Sequence, residues 1–286
     1  MIRFSTIQLL RFHFSFFLMP VFWFALSQVV TIKIPHAILI FVILHLLVYP
    51  ASNGYNSYMD RDTGSIGGIE HPQAPTRQLY YATVILDVAA LLLSLLISVY
   101  FFIGILIFIA ASRAYSYRRI RLKKYPIIGY LTVIVCQGGL VYFLVRHGSS
   151  VSKSLYCSWS AMLGSSLLIG AFYPLTQIYQ HQQDAEDGVV SISAKMGYRG
   201  TFIFCATVFM TAMTALAWYF GNNLELHHFF RMQILMLPAL VYFFWWMAKV
   251  FRDPGAANYK NTMTMNLLGS FCTNAAFLAI LILDKF

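Results

Sequence analysis

Two stretches of this chain carry the residue types that chemistry needs, and they match each other. Tyr49–Gly64 and Tyr173–Gly188 are related by a constant offset of 124 residues, which lays Tyr49, Pro50, Tyr55, Asp60 and Gly64 on Tyr173, Pro174, Tyr179, Asp184 and Gly188. Asn53 and Asn56 meet Gln177 and Gln180 in the same register. The chain has ten acidic residues, and five of them (Asp60, Asp62, Asp184, Glu186 and Asp187) fall inside these two windows. The repeat is therefore one of chemistry as well as of spacing.

Read as helix, Asn53, Asn56 and Asp60 stand at i, i+3 and i+7 and share one face; Gln177, Gln180 and Asp184 do the same. Pro50 and Pro174 lie upstream, where a kink would splay the helix end, and Gly64 and Gly188 are expected to mark where each helix stops. Clustered carboxylates near a membrane are costly without a partner. A hard divalent cation is the natural one, because magnesium takes one or two carboxylates and completes its shell with water and substrate phosphates. Two facing clusters among many cations suit a diphosphate bridged by such ions. Arg61, Arg77, Arg118, Lys123, Lys124 and Lys195 are the candidates to steady its negative charge.

The elements that must position these residues are membrane spans. A chain of 286 residues that is 59% hydrophobic and 10% charged has too much apolar surface for one soluble core. Apolar runs of roughly 18 to 25 residues recur, each about long enough to cross a hydrocarbon layer as a helix. The expected fold is all-α and polytopic, with about nine spans near 10–32, 36–58, 78–97, 99–117, 127–145, 155–176, 201–220, 229–249 and 262–283. The turn between the third and fourth is expected in the Ser98–Gly104 region. The run from about Phe12 to Ile32 lacks a convincing small-residue cleavage site and reads as a retained first span. If the loops after the even-numbered spans share a side with the N-terminus, that side collects fifteen of the 20 Lys and Arg, leaving five. This positive-inside bias predicts that the N-terminus and both acidic stretches face the cytoplasm. It also accounts for the net charge of +10 through topology and contact with membrane lipids, so no nucleic-acid partner is expected. Each acidic stretch ends an even-numbered span, four spans apart. That spacing predicts two parallel four-helix pseudo-repeats, roughly 10–120 and 127–250, plus one further helix, in a single domain over 1–286.

Asn56-x3-Asp60 and Asp184-x2-Asp187, the second followed by a loop ending in Lys195-Met196-Gly197, resemble the two signature motifs of the UbiA superfamily of intramembrane prenyltransferases. The Arg121-Leu-Lys123-Lys124-Tyr-Pro126 loop after span 4 and the nine-span plan are also similar to that family, and the likeness covers nearly the whole chain. One departure is that many members carry a further Asp four residues after the Asp of the first motif; here that position is Gly64, with Asp62 displaced. The resemblance implies Mg²⁺-assisted ionisation of an allylic prenyl diphosphate and capture of the carbocation by a lipid-soluble, often aromatic acceptor. It further implies that Asp60, Asp62, Asp184, Asp187 and Asn56 hold the metal or its waters, with Arg61, Arg77, Lys123, Lys124 and Lys195 on the diphosphate. The expected location is the cytoplasmic membrane of a prokaryote.

Other polar residues have plainer readings. Asp87, about ten residues into span 3, reads as a carboxylate bonded to a neighbouring helix more readily than as a proton acceptor. His45 and His181 read as hydrogen-bonded filler. The four cysteines are scattered singly and read as small packing residues. Two rivals remain: a UbiA-like terpene cyclase, which the motifs do not separate from a transferase, and a cation-coupled transporter, which would place carboxylates deeper and use inverted repeats.

Overall fold

Backbone amides in a hydrocarbon layer find partners only within their own helix or in a closed barrel. The chain takes the first solution. In a computed structural model describing residues 3–285, the chain is nearly all helical, and no strand is present among the described residues beyond the isolated bridges Ile32–Ser150 and Ile66–Ile69. The helices are α1 (Phe4–Leu10), α2 (Met19–Ser27), α3 (Ile34–Phe41), α4 (Tyr49–Asp60), α5 (Arg77–Ser94), α6 (Val99–Ser116), α7 (Pro126–Ile134), α8 (Val141–Ser149), α9 (Trp159–Gln177), α10 (His181–Glu186), α11 (Ile192–Asn222), α12 (Leu226–Arg252) and α13 (Tyr259–Lys285). Wider π-helical turns at Val42–Val48 and Val135–Leu140 join α3 to α4 and α7 to α8 into continuous spans, Ile34–Asp60 and Pro126–Ser149.

Seven of these spans are long and apolar enough to cross a membrane, and an eighth is formed by Phe4–Phe17 with Met19–Ser27, bent by 42°. The first span, expected near 10–32, is thus a broken one that begins at Phe4 and ends at Ser27. Arg11 adopts a left-handed backbone (φ 49°) between α1 and a 3-10 segment, and Pro20 opens α2. The expected span without a counterpart among these eight is the sixth, near 155–176, which is α9. It has 19 residues, but Ser160, Gly164, Ser165, Ser166, Gly170 and Thr176 make it less apolar than the others, so the structure supports eight by length and composition. Small residues bring its neighbours close. A Cβ on Gly164 would meet Leu216 at 2.7 Å, and one on Gly138 would meet the Ser166 backbone at 2.4 Å. The expected turn at Ser98–Gly104 lies at its early end: Ser98 caps α6 by accepting from the Phe101 amide at 3.0 Å.

The two acidic stretches fold unequally. The first stays helical through Asp60, four residues before Gly64, and Arg61 (φ 55°) terminates α4. The second breaks: α9 ends at Gln177 and α10 restarts at His181, so the continuous face expected for Gln177, Gln180 and Asp184 does not exist. Gly188 does stop α10, with φ +69° and the Val189 amide bonding back to the Asp184 carbonyl at 2.8 Å. Residues 61–76 fold back over this end of the bundle, pinned where Ile66 and Ile69 bury against Leu9, Leu10 and Leu79.

Candidate active site

Asp60 is the hub. Its side chain sits at the buried C-terminal end of α4, where the Lys123 ammonium lies 2.6 Å from Oδ2 and the Asn56 amide donates to the same oxygen at 2.7 Å. Arg121 stands 3.6 Å from Oδ1, which is buried and has no hydrogen-bond partner. Asn56 also donates to Ser116 Oγ on α6 at 3.1 Å, so two helices fix its orientation. The spacing of i to i+4 within α4 is what lets Asn56 reach Asp60.

Across a cavity of about 190 Å³ lies the second stretch. Gln177, Gln180 and Asp184 all line it, as do Asn53, Asn56, Asp60 and Asp62. The break after Gln177 therefore keeps the convergence that a single helix face was expected to supply. Asp62 accepts from Gln183 Nε2 at 2.7 Å, and Gln180 donates to the Ser65 carbonyl at 3.1 Å, tying the loop after α4 to α10. Burial, reinforced by neighbouring acids, pushes both Asp62 and Asp184 up to about 6, with Lys123 acting in the opposite direction on each.

Asp187 is placed differently from Asp184. It pairs with Arg121 through Oδ2, lies 3.7 Å from Arg118 through Oδ1, and does not line the cavity. Of the cations expected to hold a diphosphate, Lys123 alone lines the cavity; Arg61, Arg77, Lys124 and Lys195 are exposed and stand outside it. Arg118 braces the site by donating to the Met59 carbonyl at 2.8 Å. Two cations are more central than the sequence indicates. Arg121 is buried between Asp60 and Asp187, and Arg11 is buried in the cavity wall, donating to the carbonyls of Gly67 and Asn53 at 3.3 Å each. Arg11 precedes an apolar run and so reads as a topological charge; only its left-handed backbone, invisible in sequence, turns it inward.

The donor set suits a hard cation that keeps part of its own shell. Among the described residues no three His, Cys, Asp or Glu side chains gather into an all-protein cage. Two carboxylates on opposite walls, an unpartnered Asp60 Oδ1 and an unpartnered Gln177 Oε1 are nevertheless available. That is the chemistry of magnesium held by few protein oxygens together with phosphate and water.

Behind the polar cavity is a second, apolar one of about 150 Å³, and the two share Phe14, Gln137, Tyr173 and Thr176 as common walls. Tyr173 is bonded to Tyr115 and accepts from Gln177 Nε2 at 2.8 Å, so aromatic faces stand at the junction in fixed positions.

Residues with plain readings keep them. His181 bonds Ser193 Oγ at 2.7 Å and stacks on Tyr198. Asp87 pairs with Arg113, whose guanidinium also reaches Thr83 and lies 3.9 Å from the Tyr55 ring centroid. Asp87→Asn should therefore lower stability by about 3 kcal/mol, because Arg113 is left without its counter-ion inside the bundle. Turnover should stay within about twofold, since a change away from the reacting groups removes no transition-state contact. Thermal unfolding in detergent and steady-state kinetics check the two halves separately.

Helices that cross a membrane and enclose facing carboxylates, buried cations and an adjoining apolar chamber define an integral membrane protein with a site for a ligand that is anionic at one end and apolar at the other. A profile of the UbiA prenyltransferase family matches residues 15–268, and the chain belongs to that family. Solved structures share its fold. A UbiA homolog from Archaeoglobus fulgidus bound to DMAPP and Mg²⁺ has a TM-score of 0.73 at 15% identity, with 97% of this chain and 99% of that one covered. A UbiA homolog from Aeropyrum pernix K1 in its apo form has a TM-score of 0.69 at 16% identity, covering 94% and 98%. A digeranylgeranylglyceryl phosphate synthase structure has a TM-score of 0.61 at 19% identity, covering 97% and 96%. No curated protein matches the chain significantly in sequence.

Proposed function

We propose that this protein transfers a prenyl group from an isoprenoid diphosphate to an aromatic or otherwise lipid-soluble acceptor within the membrane. The observation that carries the reading is the meeting of Asp60 and Asp184 with Lys123 around one polar cavity that adjoins an apolar one. Family membership supports the same reaction class.

Asp60 and Asp184 would hold Mg²⁺, with Asn56 steadying Asp60 and Asp62 at the edge of the set. A bound magnesium ion would neutralise charge on the diphosphate oxygens as the allylic C–O bond breaks and its electron pair leaves with the diphosphate. Lys123 and Arg11 supply further positive charge at fixed positions in the cavity wall. Tyr115, Tyr173, Phe14 and Phe108 line the polar cavity and offer ring faces to the carbocation. The acceptor's nucleophilic atom then bonds to the allylic carbon and gives up its proton to the departing diphosphate. The loop 61–76 and the packed helices limit water that would otherwise quench the cation. In this arrangement Asp187 serves as the counter-ion that holds Arg121 and Arg118 beside Asp60.

The reading extends to orientation: the motif end of the bundle faces the cytoplasm, where the cation-rich loops lie. The functional test is to incubate purified protein with Mg²⁺, labelled prenyl diphosphates of graded length and a lipid extract of the host. Label should move to a larger acceptor product with release of one diphosphate per transfer. Label recovered as a cyclised hydrocarbon without any acceptor would identify a cyclase instead.

Dependence on pH follows from Asp62 and Asp184. Both have folded values raised to about 6, so the folded chain binds more protons than the unfolded chain between the ordinary carboxylate range and 6. In the absence of metal, stability should fall as pH rises through that window. Metal needs the ionised forms. The Mg²⁺ concentration for half-maximal activity should therefore be flat above about pH 7 and rise up to roughly tenfold per pH unit below 6 for each proton displaced. An unchanged Mg²⁺ requirement between pH 5 and pH 7.5 would contradict the assignment.

A further inference from the structure

The Asp87–Arg113 pair ties α5 to α6, but the tie leaves hydrogen-bonding capacity over. Both bonds from Arg113 fall on Asp87 Oδ2, whereas Oδ1 has no partner among the described residues and keeps accessible surface. Arg113 spends its other contacts on Thr83, from Nη1 to the hydroxyl and from Nη2 to the carbonyl, at 3.3 Å each. Of the five N–H groups of a guanidinium, one on Nη1 is therefore uncommitted.

Both side chains line a groove of about 410 Å³ on the outer face of the bundle, more than twice the volume of the polar cavity. Its rim residues Tyr80, Val84, Val88, Tyr117 and Ile120 are exposed on the surface that meets lipid. The void on the inner side of the pair, toward Val48 and Phe108, is too small for a water molecule. The 12% of the Asp87 side chain and 22% of the Arg113 side chain that remain exposed therefore open into the groove. The groove shares no wall residue with the polar cavity: Tyr55 of α4 lines the one, and Asn53 and Asn56 line the other.

Lipid tails do not satisfy this pair, because an uncommitted carboxylate oxygen set against hydrocarbon is costly. The pair also carries no net charge. A phosphate seated on it would meet Asp87, and an ammonium would meet Arg113, each a repulsion. What fits is a neutral group that donates to Asp87 Oδ1 and accepts from Arg113 at once, and a hydroxyl does both. The rest of the wall suits a flat ring. Ala110 and Ala114 on α6 and Val84 and Val88 on α5 are pairs one turn apart, and the small alanines leave a slot between the helices. Tyr55, Tyr80 and Tyr117 line the same groove and offer aromatic contacts to a ring.

We propose that this groove is a lateral binding site for a phenol-headed lipid. The ring lies in the slot, the hydroxyl joins the Asp87–Arg113 pair, and the tail leaves sideways into the bilayer. The site stands apart from prenyl transfer, and its occupancy is measured without diphosphate or Mg²⁺.

The probe is a 4-octylphenol carrying a photoactivatable diazirine in its chain, added to purified protein in phosphatidylcholine nanodiscs. Label should map to the α5 and α6 peptides that contain Val84, Val88, Ala110 and Ala114. Unlabelled 4-octylphenol should compete at a concentration at least tenfold lower than 4-octylanisole or octylbenzene, because a site built to pair a hydroxyl rejects analogues that cannot donate. Ala114→Phe fills the slot without touching the ion pair and should abolish the labelling. In Asp87→Asn, read below its unfolding transition, the preference for the phenol should shrink to about threefold or less. Label confined to the walls of the polar cavity or the apolar chamber would overturn the proposal, as would equal competition by all three compounds in the wild type. Loss of labelling in phosphatidylglycerol nanodiscs would overturn it too, in favour of a phospholipid headgroup. The wild-type comparison needs no variant, so a folding defect in either one does not leave the matter undecided.

Discussion

Asp60→Asn is expected to give folded, membrane-inserted protein that consumes prenyl diphosphate with Mg²⁺ roughly a thousandfold more slowly than the wild type. The substitution keeps the volume and an oxygen that accepts from Asn56 and Lys123, so the contacts at 2.7 and 2.6 Å retain hydrogen-bonding geometry. What it removes is the charge. Oδ1, buried and without a hydrogen-bond partner, loses its value as a cation ligand, and Lys123 is left next to Arg121 without its closest anion. Helix content and elution of the detergent-solubilised protein check the fold, and diphosphate release checks the chemistry. Turnover within tenfold of the wild type would remove Asp60 from the centre of the account.

Lys123→Met is the second substitution with a large expected effect, and its neighbour supplies the control. Lys123 lines the polar cavity with its side chain 11% exposed, whereas Lys124 is exposed and rests against Tyr125, 4.9 Å from the ring centroid. Losing the Lys123 charge should cost roughly a hundredfold in kcat/KM for the diphosphate substrate, since that charge acts in a water-poor cavity. Lys124→Met should change it by less than about twofold, in keeping with an exposed charge. Some stability should be lost with Lys123 as well, because Asp60 is left buried beside a single distant guanidinium. The comparison is therefore read from kcat/KM below the unfolding transition. Equal effects at the two lysines would show that the loop acts as a diffuse positive field rather than through one seated ammonium.

These two lysines also mark the limit of what the sequence discloses. Composition and the spacing of apolar runs disclose the helical membrane fold, because a hydrocarbon layer leaves the backbone so few options. The meeting of Asp60, Asp184 and Asn56 around one cavity is legible because their spacing is written twice, 124 residues apart. Which cations turn inward is not legible. A 3-10 turn at Leu122–Lys124, following Arg121 with φ 51°, turns Lys123 toward the cavity and exposes Lys124, and nothing in a run of basic residues distinguishes them. Arg121 pairs with Asp187 across 66 residues, and Arg11 reaches Asn53 across 42; such long-range partners follow from packing, which no local pattern encodes. The break after Gln177 hides for a similar reason. The second stretch repeats the first in residue type, yet its last turn is released from α9 and held by the bonds of Gln183 and Gln180 to the loop after α4.

The most direct measurement is equilibrium binding of an unreactive prenyl diphosphate analogue, with sulfur in place of the bridging oxygen, to purified protein with and without Mg²⁺. One site per chain should fill with an affinity at least tenfold higher in Mg²⁺ than in chelator, and Asp60→Asn should erase that difference. Binding that is indifferent to both Mg²⁺ and Asp60 would contradict the assignment of the polar cavity as a metal-assisted diphosphate site.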